Sequence, residues 1–293
     1  TFLQQIFELA PVNYFFPSRE TLDYMQSPEF DAADFRARFE KKSGDRSVSV
    51  ISHEELSGHP HGHDSVDPYL VARNMQSLYP DAQVLFTVRN QFRYIRSIYS
   101  YRVGVKGEDW RSYSRFVREE GEAGLYEKLE YDGLVSYYHE LFGPDNVTVL
   151  PMEFLKTDSG KFFDRVAALL NLSTEQLQLP QERVNRSFYD PRLLALWRTS
   201  NYLFYAFRKA LVRMGLLGKR EKVVRYKYYH TKRAISAYLM SEESVGCRIC
   251  LDEVLQNELR PRFARSNTRL GELIGEDLGE LGYPVLDGPE RVD

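Results

Sequence analysis

Residues 82–102 read AQVLFTVRNQFRYIRSIYSYR. The apolar run Ala82 to Val88 has the length of a strand and is rich in residues that suit a buried one. Arg89 and Asn90 follow at once, and a helical pattern begins at Gln91. Two further runs share the character of the first: SVSVIS at Ser47 to Ser52, and NVTVL at Asn146 to Leu150. Helical patterns alternate with them. Phe2, Leu3, Ile6 and Leu9 share one face, and residues 29–42, 69–79, 112–119, 126–142 and 161–170 are also helical. Residues 10–19, with Pro17, and residues 57–68 read as loops. This order predicts an α/β fold, a mainly parallel sheet flanked by helices. Beyond about residue 190 the strand signals stop. The expected division is therefore an α/β core at 1–188 and a helical extension at 189–293 packing on it.

The chain of 293 residues is 43% hydrophobic and 28% charged, an ordinary balance for a globular domain. No apolar run approaches the roughly 18 residues of a bilayer span. A net charge of −3 gives no indication of a nucleic-acid partner. Cys247 and Cys250 form a lone C-x-x-C, without a second pair at zinc-site spacing, so no metal is expected. So few cysteines suit a reducing compartment, and the chain is assigned to the cytoplasm with peripheral membrane attachment left open.

Arg89 stands at the carboxyl end of the predicted strand, where open α/β sheets bind ligands. Ser97 lies eight residues on, and Arg93 shares its helix face one turn earlier. Guanidinium groups, a hydroxyl and helix N-terminal amides together suit a phosphate. Arg89 as a salt-bridge residue of an ordinary α/β sheet is the competing reading.

These residues resemble the 3′-phosphate-binding element of sulfotransferases that use 3′-phosphoadenosine 5′-phosphosulfate. In that family a strand ends in Arg-Asn, a Ser follows eight residues after the Arg, and an aromatic residue comes two later. Arg89, Asn90, Ser97 and Tyr99 match. TFLQQIF is similar to the helix after the family's phosphosulfate loop, with Thr1 as that loop's last residue; the loop's Lys and Gly, and the first strand, would precede Thr1. VTVLPMEFLKTDSGKFFDRVAALL at 147–170 resembles the late strand, its acidic residue and the next helix. SNTRLGELIGEDLGELGYPV resembles the tail of bacterial and glycan-type members. The resemblance implies a P-loop-type fold, that sulfuryl donor, no metal, and a hydroxyl or amine acceptor, a small molecule or a glycan.

Sulfuryl transfer needs a base for the acceptor's proton. The strand ending at Ser52 runs into His53-Glu54-Glu55-Leu56-Ser57-Gly58. His53 matches the position of the base in cytosolic sulfotransferases. Glu54 is the natural candidate in a run that resembles bacterial members. Both stand as candidates, beside the plain reading of helix cap and surface residue. His59, His61 and His63 lie in a Gly- and Pro-rich loop that holds no fixed metal geometry.

Asn185, Arg186 and Ser187, in RVNRS, come where cytosolic members close over the donor, and are candidate donor contacts or a helix-capping turn. Residues 197–239 hold eleven Lys or Arg against one acid, Glu221, with nine aromatics interleaved. Such helices suit a polyanion or an anionic membrane surface, or pack aromatics inward and leave bases to solvent. Two other functions remain: a P-loop phosphotransferase, which requires a strand-end Asp for Mg²⁺ that is not evident here, and a non-enzymatic glycan- or membrane-binding module.

Overall fold

The computed structural model describes residues 2–39, 48–57, 67–177, 190–216, 221–239 and 249–286. In chain order the elements are α1 (Phe2–Leu9), β1 (Asn13–Phe15), α2 (Arg19–Met25), α3 (Ala32–Phe39), β2 (Ser49–Ile51), α4 (Pro68–Leu78), β3 (Val84–Val88) and α5 (Gln91–Ser100). Then come α6 (Tyr113–Glu120), the short α7 (Tyr126–Lys128), α8 (Tyr131–Phe142), β4 (Val147–Pro151), α9 (Phe154–Thr157), α10 (Ser159–Leu169), α11 (Pro191–Arg213), α12 (Glu221–Leu239) and α13 (Glu253–Ile274). The fold is α/β, with parallel pairing throughout the described strands. β1 pairs with β2 from Asn13↔Ser49 to Phe15↔Ile51, and β3 with β4 from Val84↔Val147 to Val88↔Pro151.

The structure departs from the sequence expectation at β1 and α2, and the stretch 126–142, read as helical, breaks into α7 and α8. β1 lies in the stretch read as a loop: it is only three residues long, flanked by Pro11 and Pro17, and although Tyr14 and Phe15 suit a strand, pairing with β2 makes it one. α2 follows directly, started by the Ser18 side chain, which accepts the Thr21 amide at 3.2 Å.

Contacts group the residues into two units interleaved along the chain, and the grouping does not follow the division at residue 188. The first unit comprises 1–90, 123–184 and 259–293; the second comprises 91–122 and 185–258. In the first unit all four strands reach one core. Tyr14, Val50, Leu85 and Leu150 pack with Ile6 and Phe7 of α1 and Phe162 and Val166 of α10. The alternate residues Val84, Phe86, Val88, Val147 and Val149 enter another core, against Ala72 of α4, Tyr138 of α8 and Leu270 of α13. Alternation along β3 and β4 thus gives each face its own helical cover.

The second unit is organised by a π-helical turn, Tyr101–Lys106, that continues α5. Its Val103 carbonyl accepts the Asn201 side-chain amide at 3.1 Å and the Lys232 ammonium. Lys232 also donates to Asn201 Oδ1 at 2.7 Å, and Tyr228 donates to the same oxygen at 2.9 Å. Gly107 ends the turn at φ +61°, a conformation that favours glycine, and a Cβ there would come within 3.2 Å of the Tyr228 ring. Asp109 and Glu120, both buried, hold Arg111 by ion pairs of 2.5 and 2.7 Å, and Arg102 joins Glu120 at 3.0 Å.

Burial pushes the Lys232 ammonium down to about 7 from 10.5. The unfolded chain therefore binds more protons between those values, so this group makes stability rise with pH across that window and adds no slope below it. Lys232→Met should remove the extra slope between about pH 7 and 10 when denaturant midpoints are measured for both proteins. An unchanged slope in the variant would show that Lys232 is not the group responsible.

Candidate functional site

The ends of β3 and β4 are locked together. Val88 carbonyl accepts the Met152 amide at 2.8 Å, one step beyond the last strand residue. The two residues after β3 are then fixed from three directions. Tyr131 hydroxyl donates to the Arg89 carbonyl at 2.9 Å. The Asn90 amide donates to Glu153 Oε1 at 3.3 Å, and its side-chain amide donates to the Gly282 carbonyl at 2.6 Å. Glu153 itself is buried, and its other oxygen accepts the Tyr283 hydroxyl at 2.7 Å. Asn267 of α13 in turn donates to the Pro284 carbonyl at 2.8 Å. One carboxylate therefore joins the Arg89–Asn90 turn to the chain's tail.

This is a backbone held in place around a half-buried arginine. A guanidinium on a fixed strand end can grip an anion bidentately without first ordering its main chain. Glu153 is placed here to position the turn. In the sequence it was visible only as the acidic residue after the late strand; nothing local links it to Asn90, 63 residues away. The tail SNTRL…GYPV has the same explanation, since Asn267 and Tyr283 close the tie.

Arg93, exposed, and Ser97, half-buried, lie one turn apart on α5. The boundary between the two units falls at Asn90 and Gln91, so Arg89 belongs to the first unit and Arg93 and Ser97 to the second.

His53 and Glu54 follow β2 in the first unit. The His53 ring packs on Phe16, with centroids 4.6 Å apart, and its Nδ1 accepts the Glu55 amide at 3.1 Å. With that lone pair engaged, the neutral ring carries its proton on Nε2. Glu54 opens the 3₁₀ turn Glu54–Ser57, and the neighbouring Glu55 is engaged by Arg19 at 2.8 Å. Asn185, Arg186, Ser187, the three loop histidines and Cys247 lie outside the described residues, while Cys250 is exposed. The described residues contain no His, Cys, Asp and Glu grouping suited to a metal ion.

No family model matches the chain, and no curated protein matches it. Among solved structures, a sulfotransferase from Alicyclobacillus acidocaldarius is similar over 95% of this chain and 93% of its own, with a TM-score of 0.53 and 17% identity. At that identity the likeness is one of fold.

Replacing Glu153 by Ala removes one carboxylate bond from the Asn90 amide and one from the Tyr283 hydroxyl. The expected loss is about 2–4 kcal/mol in urea unfolding, against about 1 kcal/mol for Tyr283→Phe. Equal small losses in both variants would mean that the carboxylate does not hold the turn.

Proposed function

We propose that the chain is a sulfotransferase that uses 3′-phosphoadenosine 5′-phosphosulfate and passes its sulfuryl group to a hydroxyl or amine, with a carbohydrate as the first acceptor class to examine. The observation that carries the proposal is the fixed Arg89–Asn90 turn at the carboxyl end of β3, in a fold shared with a solved sulfotransferase. Open α/β sheets bind ligands at this end, and the strand-Arg-Asn-helix-Ser order is the one the sequence shares with that family.

In this proposal Arg89 and Ser97 bind the donor's 3′-phosphate, and Arg93, Asn185, Arg186 and Ser187 are further candidates for contacts to the donor. The acceptor oxygen or nitrogen attacks sulfur, forming one bond as the bond from sulfur to the bridging phosphate oxygen breaks. The electron pair leaves with 3′-phosphoadenosine 5′-phosphate. The acceptor's proton passes to Glu54, and cationic groups offset the charge on the sulfuryl oxygens and the leaving phosphate. His53 is the less suited base because its Nδ1 is already occupied by the Glu55 amide; it serves as a donor from Nε2. Proton transfer of this kind contributes about 10²- to 10⁴-fold to rate.

Two variants separate donor binding from proton transfer. Arg89→Ala should weaken binding of 3′-phosphoadenosine 5′-phosphate by about 10- to 100-fold in full-length protein, the loss expected for charge-assisted hydrogen bonds. Glu54→Gln should keep that affinity and lower the transfer of labelled sulfuryl groups by about 100-fold or more. Unaltered binding in Arg89→Ala would remove the donor site from this strand end. Binding of ADP that requires Mg²⁺ would favour a phosphotransferase instead.

A further inference from the structure

α11 and α12 form a helical hairpin. The Phe204 and Tyr228 rings stack with centroids 4.0 Å apart, Arg208 meets Glu221 at 2.6 Å, and Ser200 shares a hydrogen bond of 2.8 Å with Tyr228. Leu194, Trp197 and Asn201 are the buried side of α11. Its opposite side is apolar too. Leu196 is 54% exposed, and Leu203, Phe207 and Met214 are each 60% exposed. With Ala210, also exposed, their spacing of seven, four, three and four residues puts them in one stripe about 27 Å long. On α12, Val223 and Tyr226 are exposed at a spacing of three.

A helix that is apolar on both sides has one face too many for its own core. The surrounding charges indicate what covers the outer face. Lys209 and Arg213 flank the stripe, and Lys222 and Lys227 lie beside the exposed residues of α12. Among the described residues, Arg213, Lys222 and Lys227 have no acidic partner, whereas Arg208 and Arg225 pair with Glu221 and Glu108. With the exposed bases Lys209, Arg213, Lys222 and Lys227 at this face, two copies of it repel each other, and an anionic surface attracts it. Exposed tyrosines at Tyr202 and Tyr226 suit the boundary between headgroups and acyl chains. No described helix is long and apolar enough to cross a membrane.

We infer that the α11–α12 hairpin docks on an anionic lipid bilayer, laying the Leu196–Leu203–Phe207–Met214 stripe into the interface while Lys209, Arg213, Lys222 and Lys227 meet lipid headgroups. This attachment needs no donor and stands apart from the proposed sulfotransferase activity. An enzyme so placed would work on acceptors at a membrane surface.

The test is co-sedimentation of the full chain with vesicles of phosphatidylcholine alone or with about three-tenths phosphatidylglycerol, together with gel filtration over a range of concentrations. The anionic vesicles should bind at least about tenfold more tightly. The pair Leu203→Ser and Phe207→Ser, and separately the pair Arg213→Glu and Lys227→Glu, should each reduce binding by about tenfold. Both pairs change solvent-facing side chains, so circular dichroism melts should match the parent. Three results would overturn the proposal. Absence of vesicle binding is one. Binding unchanged by the serine pair is another, since it would indicate a surface for polyanions in general. The third is a dimer that the serine pair abolishes without vesicle binding, which would mean that a second copy covers the stripe.

Discussion

A buried carboxylate needs partners, and Glu153 has them in the two segments that matter most to the site. Its oxygens take the Asn90 amide and the Tyr283 hydroxyl, at 3.3 and 2.7 Å. Without this tie, the residues after β3 would keep the bonds from Tyr131 and to Gly282 but lose the acceptor of the Asn90 amide. With it, the Arg89 backbone is already ordered in the folded chain, so an anion gripped there would not have to order it. The tail from α13 to Tyr283 is then part of the site's support, although it stands more than a hundred residues from Arg89 in the chain.

The two cores that β3 and β4 enter serve the same end. Alternate residues of β3 and β4 supply opposite faces, and each face packs on helices, through Leu85 and Leu150 on one side and Val84, Phe86, Val88, Val147 and Val149 on the other. A strand covered on both faces cannot slip by one residue without turning apolar side chains out of both cores. Register is therefore strongly specified, and the position of Arg89 one residue beyond Val88 is specified with it. The second unit uses a polar device instead. Lys232 and Asn201 satisfy a carbonyl in the π-helical turn, and such turns often mark functional regions.

What could be read from residues alone followed local signal. β3 and β4 are short apolar runs bounded by polar residues, and α4, α5, α8 and α10 have clear helical periodicity; all were evident. β1 was not, because three residues between prolines become a strand only through pairing with β2. The Arg-Asn dipeptide at the strand end could be picked out, while the groups that hold it could not. Glu153 acts across 63 residues and Gly282 across 192, and no spacing rule reaches that far. Likewise the hydrogen bond that sets the His53 tautomer depends on the conformation of the turn after β2, and the interleaving of the two units depends on where α13 returns. The basic, aromatic character of residues 197–239 was plain, but the outward apolar stripe emerged only once burial showed which side of α11 faces its own unit.

The most direct measurement is calorimetric titration of the unmodified full-length protein with 3′-phosphoadenosine 5′-phosphate, with ADP as the control. The two ligands share adenosine and a 5′-phosphate but only the first carries the 3′-phosphate. A donor site built on Arg89 predicts micromolar binding of the first ligand and at least about tenfold weaker binding of ADP. Equal affinity for the two, or no binding of either, would contradict it and leave the Arg89–Asn90 turn as sheet architecture alone.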